Sequence, residues 1–334
     1  MADNFTHQIQ LCYLFLAPVS PGELPSPSPT YRPKLAPYFY DVDIPIYALG
    51  QTTTTCDQTE IALQFQIYNR NVLLADCRYW IDFPPDSAAV RQKAAIGNHI
   101  KSLLQRQFQV NPQALHEEYL VVLIGGLVKP KAFAKTHLFA LARLIRSLEE
   151  HITRNDAERF LQGQVAYSKT YRTIVDWEGA VIFSLEDDFE SDIALLKIAN
   201  YQLLRYRVID QEIEAQLMQL KTKLSASIIG SQFNLRQNLR TQLDLLLNFE
   251  SVDQQLLLIG DWYTAELYRA VTEEFYLNDW KAIVKNKLDQ LKEIGDIQSN
   301  NLAVSWSRVI DLIQLVGWAL LLIGYFVLFY LDMT

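Results

Sequence analysis

The residues with the clearest capacity for chemistry form an acidic group that follows a predicted strand. Glu186, Asp187 and Asp188 stand together, and Glu190 and Asp192 come directly after them. Carboxylates gathered at the end of a strand can bind a divalent cation, which in turn can activate a bound substrate. The same residues can instead open the next helix, where negative charge is favoured by the positive end of the helix dipole. We favour the second interpretation.

Two further features invite a catalytic interpretation without supporting it. Gly125 and Gly126 end an apolar run, but the chain has neither the Walker lysine pattern nor the GxGxxG spacing there, so a strand end is the better interpretation. The 5 histidines are scattered, and they form no metal-ligand spacing and no Ser/His/Asp or Cys/His arrangement. The sequence therefore predicts no catalytic residue, no cofactor-binding residue and no metal site, and we interpret the protein as non-enzymatic.

The composition sets limits on the class of protein. A chain of 334 residues that is 50% hydrophobic can bury a substantial core. A net charge of −8 and a pI near 5.2 argue against nucleic acid as a partner, because such proteins carry a basic surface. The 3 cysteines show no CxxC spacing, so neither a disulfide framework nor a zinc site is indicated, and reduced thiols fit a cytoplasmic body.

The helices that would position any site lead to an apolar segment near the carboxyl end. From Leu312 to Leu331 the chain has no formal charge, and a helix of about 20 residues at about 1.5 Å per residue spans the roughly 30 Å hydrocarbon core of a bilayer. A buried core helix is the alternative, but such helices rarely run this far without a charge. We therefore predict a transmembrane helix over 309–331 with the lipid bilayer as partner. Its representative anchor residues are Leu312, Trp318, Tyr325 and Leu331.

The charges that flank this segment predict its orientation. From Lys281 to Arg308 five lysines and arginines stand against three acidic residues, and no lysine or arginine follows Leu331. The positive-inside rule then places most of the chain in the cytoplasm, or in the equivalent compartment of an organelle. The expected protein is a single-pass, tail-anchored membrane protein.

A stripe of apolar residues precedes the predicted span. It is represented by Trp280, Val284, Leu288 and Leu291, whose spacing of three and four residues is typical of one helix face. We expect one continuous helix from Trp262 into the span, as the last part of a long-helix stalk over 186–308. The stripe requires burial either on preceding helices of the same chain or on copies of itself, and the sequence leaves both open. We expect self-association or a membrane-protein complex.

The predicted fold class is α+β. Residues 1–185 form an α/β domain with short strands and hairpins, interrupted by a proline-rich loop over 18–45 that no helix or central strand tolerates. Long antiparallel or coiled-coil-like helices follow, and then the transmembrane helix. The predicted elements of the domain are a strand at 9–19, a hairpin at 60–83, a helix capped by Asp86 or Ser87, a buried strand at 119–127, a helix at about 131–153 and a hairpin at 171–185.

Two stretches of the helical region carry a resemblance to a known family. They are Ile193 to Glu214 (IALLKIANYQLLRYRVIDQEIE) and Leu267 to Leu302, which the apolar segment follows. They resemble the family named for being required for meiotic nuclear division, which comprises single-anchor membrane proteins of bacteria and organelles. The resemblance implies a membrane-tethered, oligomerising organiser without known catalysis.

The overall order of elements also looks like that of CorA-type magnesium channels, in which an α/β cytoplasmic domain feeds a long stalk helix into the membrane. No Gly-Met-Asn motif follows the first predicted span and there is no second span, which argues against a channel of that type. The primary hypothesis is thus a tail-anchored, non-catalytic scaffold that oligomerises through its helical stalk. The alternative hypothesis is a subunit or relative of a CorA-like cation transport system.

Overall fold

The computed structural model describes residues 8–19, 44–111, 113–127, 129–148, 152–224, 240–241, 243–250 and 261–332. Side chains are described for these residues except 221–224, 296–309 and 326–332. Most of the predicted proline-rich loop over 18–45 lies outside the described residues.

The described strands form one eight-stranded mixed sheet in the order β2-β3-β4-β1-β5-β8-β7-β6. Neighbouring strands are antiparallel except β5 and β8, which are parallel. The strands are β1 (Gln8–Pro18), β2 (Ile46–Cys56), β3 (Thr59–Tyr68), β4 (Val72–Asp82), β5 (Glu117–Gly125), β6 (Gln164–Ala166), β7 (Arg172–Asp176) and β8 (Gly179–Ser184). Four of them have 10 or 11 residues, and three of these four, β1, β3 and β4, coincide with strands that the sequence predicted.

The helices of the first half cover one face of this sheet. They are α1 (Ser87–Phe108), α2 (Pro130–Thr136), α3 (Leu138–Ile145) and α4 (Arg154–Phe160). Their apolar residues share one core with the alternate residues of the strands, such as Leu11 and Phe15 of β1. The predicted cap of α1 is confirmed, since the Asp86 side chain accepts from the backbone nitrogens of Ala88 and Ala89.

The predicted helix over about 131–153 is wrong in its extent. It is two short helices, α2 and α3, because His137 leaves helical geometry between them and packs its ring against Phe133 and Phe83 at 4.4 and 4.9 Å. The second of these helices ends at Ile145.

The long helices follow the sheet in sequence. They are α5 (Glu190–Leu224), α6 (Trp262–Glu274) and α7 (Leu277–Asp332), and residues 243–250 are also helical. The expectation of one continuous helix from Trp262 is wrong, because Tyr276 adopts a φ of 50° in the left-handed region and separates α6 from α7.

The chain divides into two compact units. The first is Met1–Val208 with Ser251–Ala282, and it contains the sheet, α1 to α4, the first half of α5, and α6. The second is Ile209–Glu250 with Ile283–Thr334. Within the second unit the Lys287 ammonium lies 2.6 Å from an Asp210 carboxylate oxygen and 2.7 Å from one of Glu214, so an ion-pair group links α5 to α7.

The residues of the predicted stripe fall in both units. Trp280 belongs to the first unit and is half-buried. Val284, Leu288 and Leu291 belong to the second unit and are buried.

No helix in the described part of the chain has both the length and the apolar character needed to cross a membrane. The predicted transmembrane helix over 309–331, the tail anchor and the single-pass membrane localisation are therefore wrong. Leu312, Trp318 and Tyr325 are exposed, and the Leu331 side chain lies outside the described residues.

Candidate functional site

The first turns of α5 lie over the sheet face opposite α1 to α4 and bring polar side chains into a buried layer. Asp76 of β4 points to this face because its neighbours Ala75 and Cys77 belong to the core on the other side. Asp192 and Lys197 of α5 face the same layer, and all three side chains are almost completely buried. Buried charge is costly unless it is paired, so the partners of these groups decide what they can do.

Asp76 is the centre of a fully paired ionic group. Its carboxylate accepts from Lys197 Nζ at 2.7 Å, from Arg78 Nε and Nη2 at 3.1 Å each, and from Cys12 Sγ at 3.3 Å. The Arg78 guanidinium also pairs with Glu190, with its Nη2 3.0 Å from Oε2. The group therefore joins the start of α5 to β4 and β1.

The charges of this ionic group hold Asp76 and Lys197 in their ionised forms. Burial raises the pKa of the Asp76 carboxyl, but the positive charges of Lys197 and Arg78 outweigh burial and keep that pKa well below its usual range. Burial lowers the pKa of Lys197, and the charge of Asp76 overcomes it and raises the pKa well above the usual value. Burial also raises the pKa of the Cys12 thiol, which makes it a poor nucleophile. The arrangement suits a structural clamp and provides neither a base nor a nucleophile.

Asp192 has a different environment, in which its partners are hydroxyl groups. Its Oδ2 accepts from the Tyr263 hydroxyl at 2.7 Å and from the Thr173 hydroxyl, and Tyr171 also donates to its carboxylate. Within the described part of the chain it forms no ion pair. Burial raises the pKa of the Asp192 carboxyl to about 6, while the three hydroxyl donors act in the opposite direction.

Two of these hydroxyl donors, Tyr171 and Tyr263, belong to a cluster of four aromatic side chains that we call the aromatic group: Tyr167, Tyr171, Trp262 and Tyr263. The Tyr167 and Trp262 rings are nearly parallel, with an interplanar angle of 17° and centroids 6.2 Å apart. Both are well exposed, at 60% and 62%, whereas Tyr263 is buried. The group is positioned by the start of α6, where Asp261 caps the helix by accepting from the Thr264 backbone nitrogen.

The acidic residues singled out in the sequence do not meet at one point. Glu190 is engaged by Arg78, Asp192 is buried under the aromatic group, and the Asp188 backbone nitrogen donates to the Ser184 hydroxyl at 3.2 Å. Among the described residues no group of three or more His, Cys, Asp or Glu side chains is placed to hold a metal ion. The interpretation of this stretch as the opening of a helix is confirmed for Glu190 and Asp192, which lie in the first turn of α5, whereas Glu186, Asp187 and Asp188 precede the helix.

The Gly125–Gly126 pair lies where β5 ends beside its parallel neighbour β8, and the prediction of a strand end is confirmed. The Asp187 carboxylate lies directly over Gly125, because a Cβ added to this glycine would be 1.6 Å from Oδ1. A carboxylate at this place opposes the approach of a phosphate, so the geometry does not form a phosphate-binding loop.

The ionic group and the aromatic group were both missed in the sequence. Asp76 and Lys197 each interrupt a run of apolar residues, and a lone charge within a buried run is the signal that could have found them. The aromatic group joins two sequence neighbourhoods about a hundred positions apart, and no local pattern connects them.

No family model matches the chain, and no solved structure gives a significant match. Among curated proteins, the chain is similar to an uncharacterized protein of Methanocaldococcus jannaschii, with 23% identity over 278 residues. The matched residues cover 81% of this chain and 83% of that protein. The similarity therefore spans both units but names no activity, and the resemblances to the meiotic nuclear division family and to CorA-type channels stay predictions.

Proposed function

We propose that the protein is a non-catalytic scaffold that self-associates through residues 310–325 of α7. The observation that carries the proposal is the exposure of this segment, in which every residue is exposed to solvent. Its large apolar side chains are between 50% and 70% exposed: Ile310, Leu312, Ile313, Leu315, Val316, Trp318, Leu320, Leu321, Leu322, Ile323 and Tyr325.

The area of this surface is sufficient for a stable interface. Side chains of this size exposed to this extent present on the order of 1,000 Å² per copy, against about 800 Å² per partner in a standard protein–protein interface. The largest apolar patch on a typical monomer is only about 300–600 Å². Burial of such a surface strongly favours association.

A second copy of the same segment is the occupant that this surface fits. Within residues 310–325 the only formal charge is Asp311, so charge complementarity cannot select a different partner. A helix that is apolar on all sides requires neighbours on more than one side. In an assembly of identical copies, each copy of the segment covers its neighbours and is covered by them. Gly317 and Gly324 lie seven residues apart with open space beside them, which lets neighbouring backbones approach closely.

The buried polar layer supports the non-catalytic part of the proposal. The acceptors of Asp76 are filled by Lys197, Arg78 and Cys12, and burial makes Cys12 a poor nucleophile. These contacts stabilise the sheet and α5 without leaving a reactive group.

The test is the mass of the full chain in solution, measured by analytical ultracentrifugation. Leu315 and Leu322 lie seven residues apart on one helix face, and we compare L315E/L322E with Met218→Glu, a matched control on α5 that is 66% exposed. We expect the wild type and the control to form multimers. For the double variant we expect a dissociation constant at least about tenfold higher. Unchanged association of L315E/L322E contradicts the proposal. A wild-type monomer that floats with phosphatidylcholine vesicles also contradicts it, because lipid would then be the occupant.

A further inference from the structure

We propose that the aromatic group binds the guanidinium of an arginine side chain presented by a peptide partner. The site consists of two exposed walls, Tyr167 and Trp262, and a buried floor, Tyr263. The Tyr263 ring meets Tyr167 at 71° with centroids 5.3 Å apart, and meets Trp262 at 81° with centroids 6.1 Å apart. Two exposed and nearly parallel rings thus stand beside the buried Tyr263 ring, and we call this arrangement of three rings the box.

The near-parallel walls select a flat cation. A planar group between two parallel rings needs about 7 Å between them, from two contacts of about 3.5 Å each. The centroids of Tyr167 and Trp262 are 6.2 Å apart, which is an upper limit on the gap between the two ring planes, so the walls must separate before a planar cation can enter between them. Both rings are mostly exposed, which leaves them room to move apart. Guanidinium is planar and stacks on aromatic faces, whereas ammonium is compact and strongly hydrated.

The electrostatic environment favours positive charge at this place. The Tyr263 hydroxyl donates to the buried Asp192 carboxylate, as does Tyr171, and donation to an anion increases the electron density of the phenol rings. Asp192 has no ion-pair partner among the described residues. The chain as a whole carries a net charge of −8, which attracts basic peptides.

The fourth ring of the group, Tyr171, packs edge-on against Tyr167 and Tyr263. Tyr171 stands at 86° to Tyr263 and at 85° to Tyr167, with centroids 5.8 and 6.3 Å away. The turn between Tyr167 and Tyr171 is fixed by the Ser168 hydroxyl, which accepts from the backbone nitrogens of Thr170 and Tyr171. Local hydrogen bonds therefore hold the turn that carries Tyr167 and Tyr171 before a ligand binds, which lowers the cost of binding.

The experiment uses the full chain labelled with 5-fluorotryptophan, in which the Trp262 resonance is assigned from Trp262→Phe. The probe is the peptide Gly-Gly-Arg-Gly-Gly, compared with the same peptide carrying citrulline, which is planar and neutral, or lysine. We expect the arginine peptide to shift the Trp262 resonance with a Kd on the order of millimolar, and the citrulline and lysine peptides to bind at least about fivefold more weakly.

Variants separate the aromatic site from general surface binding. We expect Tyr167→Ala to weaken binding of the arginine peptide about 5–30-fold and Tyr167→Phe to restore it, because the ring and not the hydroxyl forms the wall. The control is Trp80→Ala on β4, where the side chain is 55% exposed. Equal binding of the citrulline peptide, equal weakening by Trp80→Ala, or no response to the arginine peptide at about 100 mM overturns the proposal.

Discussion

Lys197 of α5 donates to Asp76 of β4 at 2.7 Å, and only 8% and 1% of the two side chains are exposed. The pair joins the long helix to the middle of the sheet at a place where both neighbouring sequences are otherwise apolar. Desolvation of the Lys197 and Asp76 charges offsets most of their mutual attraction. Arg78 and Cys12 donate further hydrogen bonds to the oxygens of the Asp76 carboxylate.

Loss of Lys197 leaves Arg78 as the remaining cation beside the buried Asp76 carboxylate, and loss of Asp76 leaves the buried Lys197 ammonium without the carboxylate to which it donates. We expect Lys197→Ala to lower the free energy of unfolding by about 3–5 kcal/mol, measured by urea denaturation. The double variant K197A/D76A is the control, and it should be less destabilised than the sum of the single variants because no charge is left unpaired. Strict additivity would show that the two side chains do not interact.

Asp192 gives the stability a pH dependence of the opposite sign to that of a salt-bridged carboxylate. Its pKa is about 6 in the folded protein, against an ordinary value of 3.8, so between these pH values the folded state holds a proton that the unfolded state has lost. We expect the free energy of unfolding of the wild type, relative to Asp192→Asn, to rise by on the order of 2–3 kcal/mol as the pH falls from about 7 to about 4. A flat difference across this window would contradict a buried carboxylate that forms hydrogen bonds but no ion pair with the described residues.

The pKa values of two lysines are expected to shift in opposite directions from the ordinary lysine value. Burial lowers the pKa of Lys93 to about 8, where its ammonium donates to the Ile145 carbonyl at 2.8 Å. Burial also lowers the pKa of Lys287, but the hydrogen bonds to Asp210 and Glu214 and their negative charges outweigh burial and raise that pKa above the usual value. The measurement is the NMR titration of ¹³C-dimethylated lysines, with Lys93→Arg and Lys287→Arg assigning the signals. Identical midpoints would show that neither environment acts as described.

Local pattern was sufficient to predict several elements of the sheet. The hairpin of β3 and β4 is confirmed, because apolar residues alternate along it and Asn69 and Arg70 supply the left-handed turn, with φ of 47° and 56°. β2 was missed, since its run of threonines lies exposed at the sheet edge and shows no apolar alternation.

The parts that were not predicted depend on contacts between distant segments. Tyr276 ends α6 through a left-handed φ that an aromatic residue rarely adopts, so hydrophobic spacing alone indicated an uninterrupted helix. The pairing of Asp76 with Lys197 joins residues 121 positions apart, and periodicity cannot identify such partners. The apolar character of residues 312–331 was recognised, but its assignment to a membrane span was wrong.

Gly125 is required because another side chain occupies the space beside it. A Cβ at this position would lie 1.6 Å from Asp187 Oδ1, so we expect Gly125→Ala to destabilise the protein by about 1–3 kcal/mol in thermal unfolding. The double variant G125A/D187G should recover most of this loss, since glycine also tolerates the φ of 57° at position 187. A double variant as unstable as Gly125→Ala would show that the carboxylate is not the obstacle.

In the second unit, Asp210 should contribute more to stability than Glu214, although both contact Lys287. The Asp210 side chain is 16% exposed and that of Glu214 is 60% exposed, and solvent screens an exposed pair more strongly. We expect Asp210→Asn to lower the free energy of unfolding of α5 and α7 by about 1 kcal/mol or more, and Glu214→Gln to change it by less than about 0.5 kcal/mol. Hydrogen exchange of the α5 amides beyond residue 208 measures both effects. The Asp210→Asn effect should largely persist in about 0.5 M salt, because Debye screening acts mainly on exposed charges, and its disappearance there would contradict a partly buried ion pair.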